Sequence, residues 1–470
     1  MRTFPDFLRV LCLSALLTLA SAPAFAQNGL PAGLSARIDK IAQDALAKSG
    51  VPSASIAVVR DGKLAYVHAY GDARLDPKTP ATPAMRYSIG SISKEFTAAA
   101  LLMLQQQGKL SIDDKVAKFF PSLTDADHIT IRQLLSHTSG YQDFWPQDYL
   151  MPMMKKPTTP AFIMDTWARK PLDFAPGSQW QYSNTNYVIA GAIVHKLTGL
   201  IPFEFLQQHV FPKLGISDAY DTNLRALPST DARGYSRFAL GALRPSQKEG
   251  VNWMYGAGEL AMTASDLAKW DIAMIDNTAL QPASWHAMQT DVLLNDGLGS
   301  GYGLGVFVGR LDDHRMIWHD GEVMGFTAGN YVFPDDHIAV VVLTNQDAVG
   351  TYGVIGKGIA KALFAVHDPA ATKALAQAKA IFAGLQHGRI DRDQFTADAN
   401  SYFDATALRD YQTSLAPLGK PTTFTIRSAR KRGGMQMRGY SVSFPKVKLD
   451  ITTYTLPDGK LEQYIVSSSD

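Results

Sequence analysis

Three short groups of residues carry chemistry in this chain. Ser91-Ile92-Ser93-Lys94 sets a hydroxyl and an amine three residues apart. At the start of a helix that spacing puts both on one face, one turn apart, where the lysine can ease deprotonation of the serine or accept its proton. The spacing alone selects little, because Ser428/Lys431 and Ser443/Lys446 share it. Only the first opens an amphipathic run (Phe96, Ala99, Ala100, Leu102, Met103), just after a strand-like segment from Arg86 to Ile89. The other two sit in a strand-rich tail, where a serine gains no helix N-terminus. Ser91 is the candidate nucleophile.

A nucleophile of this kind needs a second proton carrier and a binding wall. Tyr182-Ser183-Asn184 is the chain's only Tyr-x-Asn, and in a tight turn its first and third side chains can face one cavity. His319-Asp320-Gly321 ends a strand candidate, where alternation points His319 and Gly321 to one face and Asp320 to the other. Gly321 is then expected to leave room for a substrate backbone along the strand edge. Lys48-Ser49-Gly50 looks like this third group, but its glycine is better explained as a helix C-cap.

Other residues are given structural roles. His137 and Ser139 share one short turn-forming stretch and are expected to cap it. His314, His319 and His337 lack metal-ligand spacing, so no metal site and no cofactor is expected. The basic run Arg427, Arg430, Lys431, Arg432 and Arg438 reads as a solvated hairpin. Tyr141, Phe144, Trp145 and Tyr149 fit either a cleft mouth or the packing of a helical lobe. Gly-x-Ser-x-Gly, His-Glu-x-x-His and a phosphate loop are missing from the sequence.

The elements that must position these groups follow from periodicity and turn chemistry. A helix is predicted from Leu34 to Lys48, stopped by Gly50. Strands Ser53 to Val59 and Lys63 to Tyr70 flank Asp61-Gly62, a strong hairpin signal. Further strands are predicted at Tyr302 to Val308, Met316 to His319, Phe326 to Phe333 and Ile338 to Leu343, with mostly helices and loops between about 91 and 267. Strands at both ends of a long helical insertion imply a mixed α/β fold: an antiparallel sheet flanked by helices, with a helical lobe beside it. A boundary falls at His367-Asp368-Pro369, so 27–367 reads as the main domain. Residues 368–470 read as a small α+β domain with helices at Thr372 to Gln386 and Gln394 to Ser414, then four strands.

Composition limits the partners. Over 470 residues, 45 Lys+Arg against 43 Asp+Glu leave a net charge of +2, too weak a field for nucleic acid to be the main partner. Arg2 and Arg9, the apolar run Val10 to Ala20 and Ala24-Phe25-Ala26 read as an export signal spanning 1–26. The single cysteine, Cys12, would leave with it, which removes thiolate nucleophiles, disulfides and Cys-based zinc from the mature chain. A periplasmic or secreted bacterial protein is expected, with no stable membrane anchor after cleavage. Nothing in the sequence sets its oligomeric state.

Over about Leu34 to Leu363 the chain resembles the serine β-lactamase and penicillin-binding-protein superfamily. It is most similar to the class C-like branch that also holds D-Ala-D-Ala carboxypeptidases, D-aminopeptidases and esterases. The resemblance rests on the three groups in order, on Leu134 to Gly140 (LLSHTSG), on Pro176-Gly177 before Tyr182, and on Gly256 to Asp266. It implies an acyl-enzyme on Ser91, with Lys94 and Tyr182 sharing general-base and general-acid work. It also implies that Asn184 binds the acyl side chain, His319 and Gly321 line the substrate, and the N–H groups of Ser91 and Glu322 form an oxyanion hole. The Glu322 side chain should leave the cleft by alternation. Class C β-lactamases usually carry a permanently charged lysine where this chain has His319, whose charge depends on pH. Weaker anion binding ranks a D-stereospecific peptidase or amidase first, an esterase second and an efficient β-lactamase third. The substrate would be a small peptide, amide or ester, with cell-wall fragments among the candidates. The tail is similar to cystatin-like or half-barrel modules. Some relatives have become non-catalytic sensors or scaffolds, a reading without support here, since Ser91, Lys94, Tyr182 and His319 are all present.

Overall fold

The computed structural model describes residues 30–469 apart from 32 and 368, so residues 1–26, expected to be an export signal, lie outside the described residues. Helix α1 (Leu34–Ser49) ends where expected, with Gly50 at φ 73° accepting the left-handed turn. Strands β1 (Ser53–Arg60) and β2 (Lys63–Leu75) form the hairpin about Asp61 and Gly62, both at positive φ. The short β3 (Lys78–Pro80) extends that edge. The later strands are β4 (Phe307–Leu311), β5 (His314–Val323), β6 (Phe326–Phe333) and β7 (Ile338–Thr344).

These seven make one antiparallel sheet in the order β3-β2-β1-β7-β6-β5-β4, with β1 from the beginning of the chain paired to β7 from the far end. Alternation sorts its two faces. Ile56, Val58, Val340 and Val342 pack with α1 and α5 (Thr351–His367) on one side, while Ala57, Val341 and Leu343 join the larger core on the other. That larger core holds α2 (Ser93–Gln106), α3 (Asn184–Thr198) and α4 (Ala264–Asp276). Burial on both faces explains why β7 reads IAVVVLT without a polar break.

Helix α2 is buried from Ser93 to Leu104, including Lys94 and Glu95. Its run of Ala, Leu and Met supplies strong helix formers that suit an all-round apolar setting. Glu95 pins it: Trp270 Nε1 of α4 donates to Oε2 at 2.6 Å, and Asn330 of β6 donates to both oxygens. Burial pushes this carboxyl up to about 8.

After residue 369 the chain builds a core of its own. Helices α6 (Pro369–Leu385) and α7 (Ala405–Leu415) pack on a meander of β8 (Thr423–Arg432), β9 (Met435–Ser443), β10 (Lys448–Thr455) and β11 (Leu461–Ser468). The long helix predicted over Gln394 to Ser414 is broken at Phe403-Asp404, where Asp404 caps α7 by accepting from the N–H groups of Thr406 and Ala407.

Candidate active site

Ser91 sits in a turn of 3-10 helix, Gly90–Ile92, that runs straight into α2. Lys94 follows one turn later with its side chain fully buried. Its Nζ lies 3.0 Å from Ser91 Oγ, 2.9 Å from Asn184 Oδ1 and 2.7 Å from the carbonyl oxygen of Ala257. Burial pushes the Lys94 amine down to about 7, with the Asp143 carboxylate pulling the other way. A neutral amine has two N–H bonds and one lone pair. Asn184 Oδ1 and the Ala257 carbonyl can only accept, so they take the two N–H bonds and the lone pair is left facing the Ser91 hydroxyl.

That assignment depends on which way the Asn184 amide points, and Asp143 decides it. Asp143 Oδ1 accepts the Asn184 backbone N–H at 2.9 Å, and Oδ2 accepts Asn184 Nδ2 at 3.3 Å. The amide nitrogen therefore faces Asp143 and the oxygen faces Lys94. Asn184, expected to bind the acyl side chain, lines the cavity and also ties Lys94 to a carboxylate whose own pKa is raised by burial. No motif marks Asp143: it meets Asn184 across 41 residues of sequence.

Tyr182 lies beside these groups, with Lys94 Nζ 4.9 Å from its ring centroid. Its hydroxyl is shut from solvent, with the Ser91 hydroxyl as its neighbour. Burial raises its pKa well above the ordinary phenol value; the neighbouring Ser91 hydroxyl opposes the rise, and the Asp143 and Asp320 carboxylates add to it. His137 and Ser139 do more than cap a turn. The His137 ring lies 4.2 Å from that of Tyr182, centroid to centroid, its Nδ1 accepts the Ser183 N–H at 3.1 Å, and Ser139 Oγ donates to Asn186 Oδ1 at 2.6 Å. Together they fix the segment that carries Tyr182 and Asn184.

His319 departs from expectation. It is 1% exposed, and burial with the nearby Lys94 holds its pKa down to about 3. The ring is uncharged through the neutral range, so its charge does not respond to pH there. Nδ1 lies 2.6 Å from the Asp320 carbonyl oxygen, which can only accept, so Nδ1 carries the proton. Nε2 then accepts from the Tyr302 hydroxyl at 2.8 Å. Both nitrogens are engaged within the protein. The ring lines the cavity as a flat, neutral wall.

Gly321 also works differently. A Cβ placed there would lie 1.9 Å from the Ile89 carbonyl oxygen, and one on Gly90, at φ 52°, would lie 2.7 Å from the Glu322 nitrogen. Both glycines let β5 and the Ser91 turn touch backbone to backbone. The missing side chain makes room for Ile89 and not for a substrate. From His319 onward β5 no longer pairs with β4, whose register ends at Trp318↔Phe307, so that edge is open beside Ser91. Glu322 N lies there, next to Gly90. Glu322 is among the residues that line the cavity, and its side chain reaches Ala348, whose N–H Oε1 accepts at 2.8 Å.

Ser91, Tyr182, Asn184, His319, Gly321 and Glu322 thus share one cavity of about 660 Å³. Trp145 lines it as well, whereas Tyr141 and Phe144 are core and Tyr149 is exposed. Trp180 and Phe307, which no motif singled out, complete an aromatic side. The other two Ser-x-x-Lys pairs fall in β8 and just past β9, outside this cavity.

Residues 38–361 match the family described as Beta-lactamase. Penicillin-binding protein 4* of Bacillus subtilis is 27% identical over 307 residues, 62% of this chain and 68% of that protein. D-aminopeptidase of Brucella anthropi is 26% identical over 297 residues, 63% of this chain but only 56% of its own length. Among solved structures, the D-amino acid amidase of Ochrobactrum anthropi SV3 with L-phenylalanine amide superposes with a TM-score of 0.63 at 26% identity, covering 71% of this chain and 99% of that one. The octameric penicillin-binding protein homologue of Pyrococcus abyssi shares the fold over 93% of this chain and 96% of its own, with a TM-score of 0.62 at 21% identity. With a family match across more than two thirds of its length and Ser91 and Lys94 in contact within the matched region, the chain belongs to the beta-lactamase family and is a serine hydrolase of that kind.

Proposed function

We propose that this protein is a D-stereospecific amidase or peptidase that works through an acyl-enzyme on Ser91. The observation that carries the reading is the contact of Lys94 Nζ with Ser91 Oγ at 3.0 Å, the same amine being held by Asn184 Oδ1 and the Ala257 carbonyl in a buried setting that lowers its pKa to about 7. Ser91 gives its proton to Lys94 as Oγ attacks the carbonyl carbon. The oxygen, now negative, is received by the N–H groups of Ser91 and Glu322. Tyr182, whose raised pKa keeps it a phenol, supplies the proton to the departing amine and is reprotonated from Lys94. Water then takes the amine's place, and the proton movements run in reverse to release the acid. His319 and Tyr302 form a rigid neutral wall, and Asp143 is a positioning residue acting through Asn184.

The amide preference is supported by the amidase and aminopeptidase among the relatives and by the lack of a cationic side chain on the cavity wall to hold an antibiotic's carboxylate. Export belongs to the same proposal and rests on residues 1–26. The site is tested by labelling with a fluorophosphonate and a fluorescent penicillin, followed by peptide mass spectrometry. A covalent adduct on Ser91 is expected, and Ser91→Ala should lower turnover of D-amino acid amides by about 1,000-fold or more. Equal turnover by that variant would remove Ser91 from the mechanism. Parallel rates on D-Ala-D-Ala peptides, nitrophenyl esters and a chromogenic cephalosporin rank the alternatives.

A further inference from the structure

From Arg233 to Lys248 the sequence holds Arg233, Arg237, Arg244 and Lys248 and neither Asp nor Glu, and between Arg237 and Arg244 it reads Phe-Ala-Leu-Gly-Ala-Leu. The stretch folds as a short hairpin, with Tyr235–Ser236 paired to Arg244–Pro245. Its tip, Phe238 to Ala242, is exposed throughout. Phe238 is 81% exposed and Leu240 96%, more than any other large hydrophobic side chain among the described residues. Single exposed apolar residues are ordinary, but a contiguous exposed group rimmed by charge marks a contact surface. The turn is closed on itself: the Gly241 N–H donates to the Phe238 carbonyl at 3.0 Å, and Ala239 takes φ 50°, a conformation that costs an alanine energy. Local bonds hold the tip out from the body.

The charges at the stem point to the partner. Arg233, Arg237 and Arg244 have no ion pair among the described residues; Arg237 donates to the Gly50 carbonyl and to Gln346 Oε1, and Arg244 to the Ala242 carbonyl. At the foot of the hairpin a hollow of about 230 Å³ has Arg74, Arg233, Ser246, Lys248 and Glu249 on its wall. Arg74 is held by the carbonyls of Asp231 and Pro228, and Lys248 lies 3.5 Å from Glu249, so three cations meet one carboxylate there. The Ser246 hydroxyl is shielded and lacks a partner among the described residues. A free hydroxyl donor beside surplus positive charge suits a phosphate oxygen. A second copy of the chain would need roughly 20–30 residues a side for a stable interface. The apolar tip runs only from Phe238 to Ala242, and so narrow a projection suits entry between lipid headgroups. We propose that this hairpin docks the protein on an anionic lipid bilayer, with Phe238 and Leu240 entering the interface and a headgroup phosphate received in the hollow by Arg233, Lys248 and Ser246. The stem is tied to the rim of the candidate active site. The Tyr235 N–H donates to the Gly325 carbonyl, Ser236 Oγ donates to Asp347, and Val323 and Met324 line both the hollow and the cavity. Docking therefore sets the cavity beside the membrane surface, whatever reaction Ser91 performs.

The test is co-sedimentation of the full chain with vesicles of equal parts phosphatidylglycerol and phosphatidylcholine, against phosphatidylcholine alone. Half-binding is expected at ~10-fold less lipid for the anionic vesicles, an advantage that added salt should shrink. Phe238→Ser with Leu240→Ser should raise the lipid needed by about 10-fold or more, and Arg233→Gln with Arg244→Gln by about 3-fold or more on anionic vesicles only. All share residues 1–26, so that segment contributes equally, and the changed side chains are exposed, so the thermal unfolding midpoint should stay in place. As a local readout, Leu240→Cys in a Cys12→Ser chain is labelled with an environment-sensitive fluorophore, whose emission should rise and shift to shorter wavelength on anionic vesicles. Equal binding to the two vesicles, equal binding by the Phe238/Leu240 variant, or an unmoved fluorophore would overturn the proposal. Self-association without lipid that the Phe238/Leu240 variant abolishes would also overturn it, and would assign the tip to a second copy of the chain.

Discussion

Lys94 can accept a proton from Ser91 only while it is unprotonated, and the protein holds it near that point by opposing effects. Burial disfavours the ammonium, whereas the Asp143 carboxylate favours it. Activity should therefore rise with pH through about 7, the value to which Lys94 is pushed. Asp143→Asn removes the anion, makes the ammonium less stable and lowers the Lys94 pKa, so the rising limb of kcat/KM should move to lower pH. The same change lets the Asn184 amide turn, and activity on the plateau should fall by about 10–100-fold. A pH–rate profile that shifts toward alkali, or stays in place, would contradict this account. Ser91, Lys94 and Tyr182 were recognisable from residue type and spacing. Asp143 was not, because an aspartate in a loop is common and its meaning comes from a contact with Asn184.

At the scale of elements the site depends on one close approach: β5 runs against the turn that carries Ser91, with Gly321 and Gly90 at the contact. Gly321→Ala would drive a methyl into the Ile89 carbonyl, where no flexible side chain can give way. We expect a loss of about 1–3 kcal/mol in stability, read by denaturant unfolding. We also expect turnover to fall by more than the unfolded fraction explains, since the strand must move away from Ser91. Unchanged stability and rate would show that the approach is looser than described. Alternation and turn residues were enough to place the β1–β2 hairpin and the strands of the second half. They also put His319 and Gly321 on one face. They could not say that this face meets Ile89 and Tyr302, since a strand's pattern records burial and not the identity of the neighbour.

At the scale of the whole molecule, the two halves of the sheet are joined through β1 and β7, and the candidate catalytic groups gather beside β5 from positions as far apart as Ser91 and Glu322. The proposed export segment precedes all of this. If it is cleaved after Ala26, protein from the bacterial envelope fraction should begin at Gln27, as read by intact mass and N-terminal sequencing; a cytoplasmic chain retaining residues 1–26 would refute it. By itself the sequence determined the main strands of the sheet, the mixed α/β class, Ser91 with Lys94 as the candidate nucleophile and base, and the lack of thiol chemistry beyond Cys12. Those properties follow from local periodicity, turn chemistry and composition. Only the tertiary structure decided that His319 is neutral with both nitrogens engaged, that Gly321 makes room for backbone, that Asp143 orients Asn184, and that carboxylates line the cavity. Each of these is a matter of desolvation or contact between residues distant in sequence, and such effects exist only once the chain has packed.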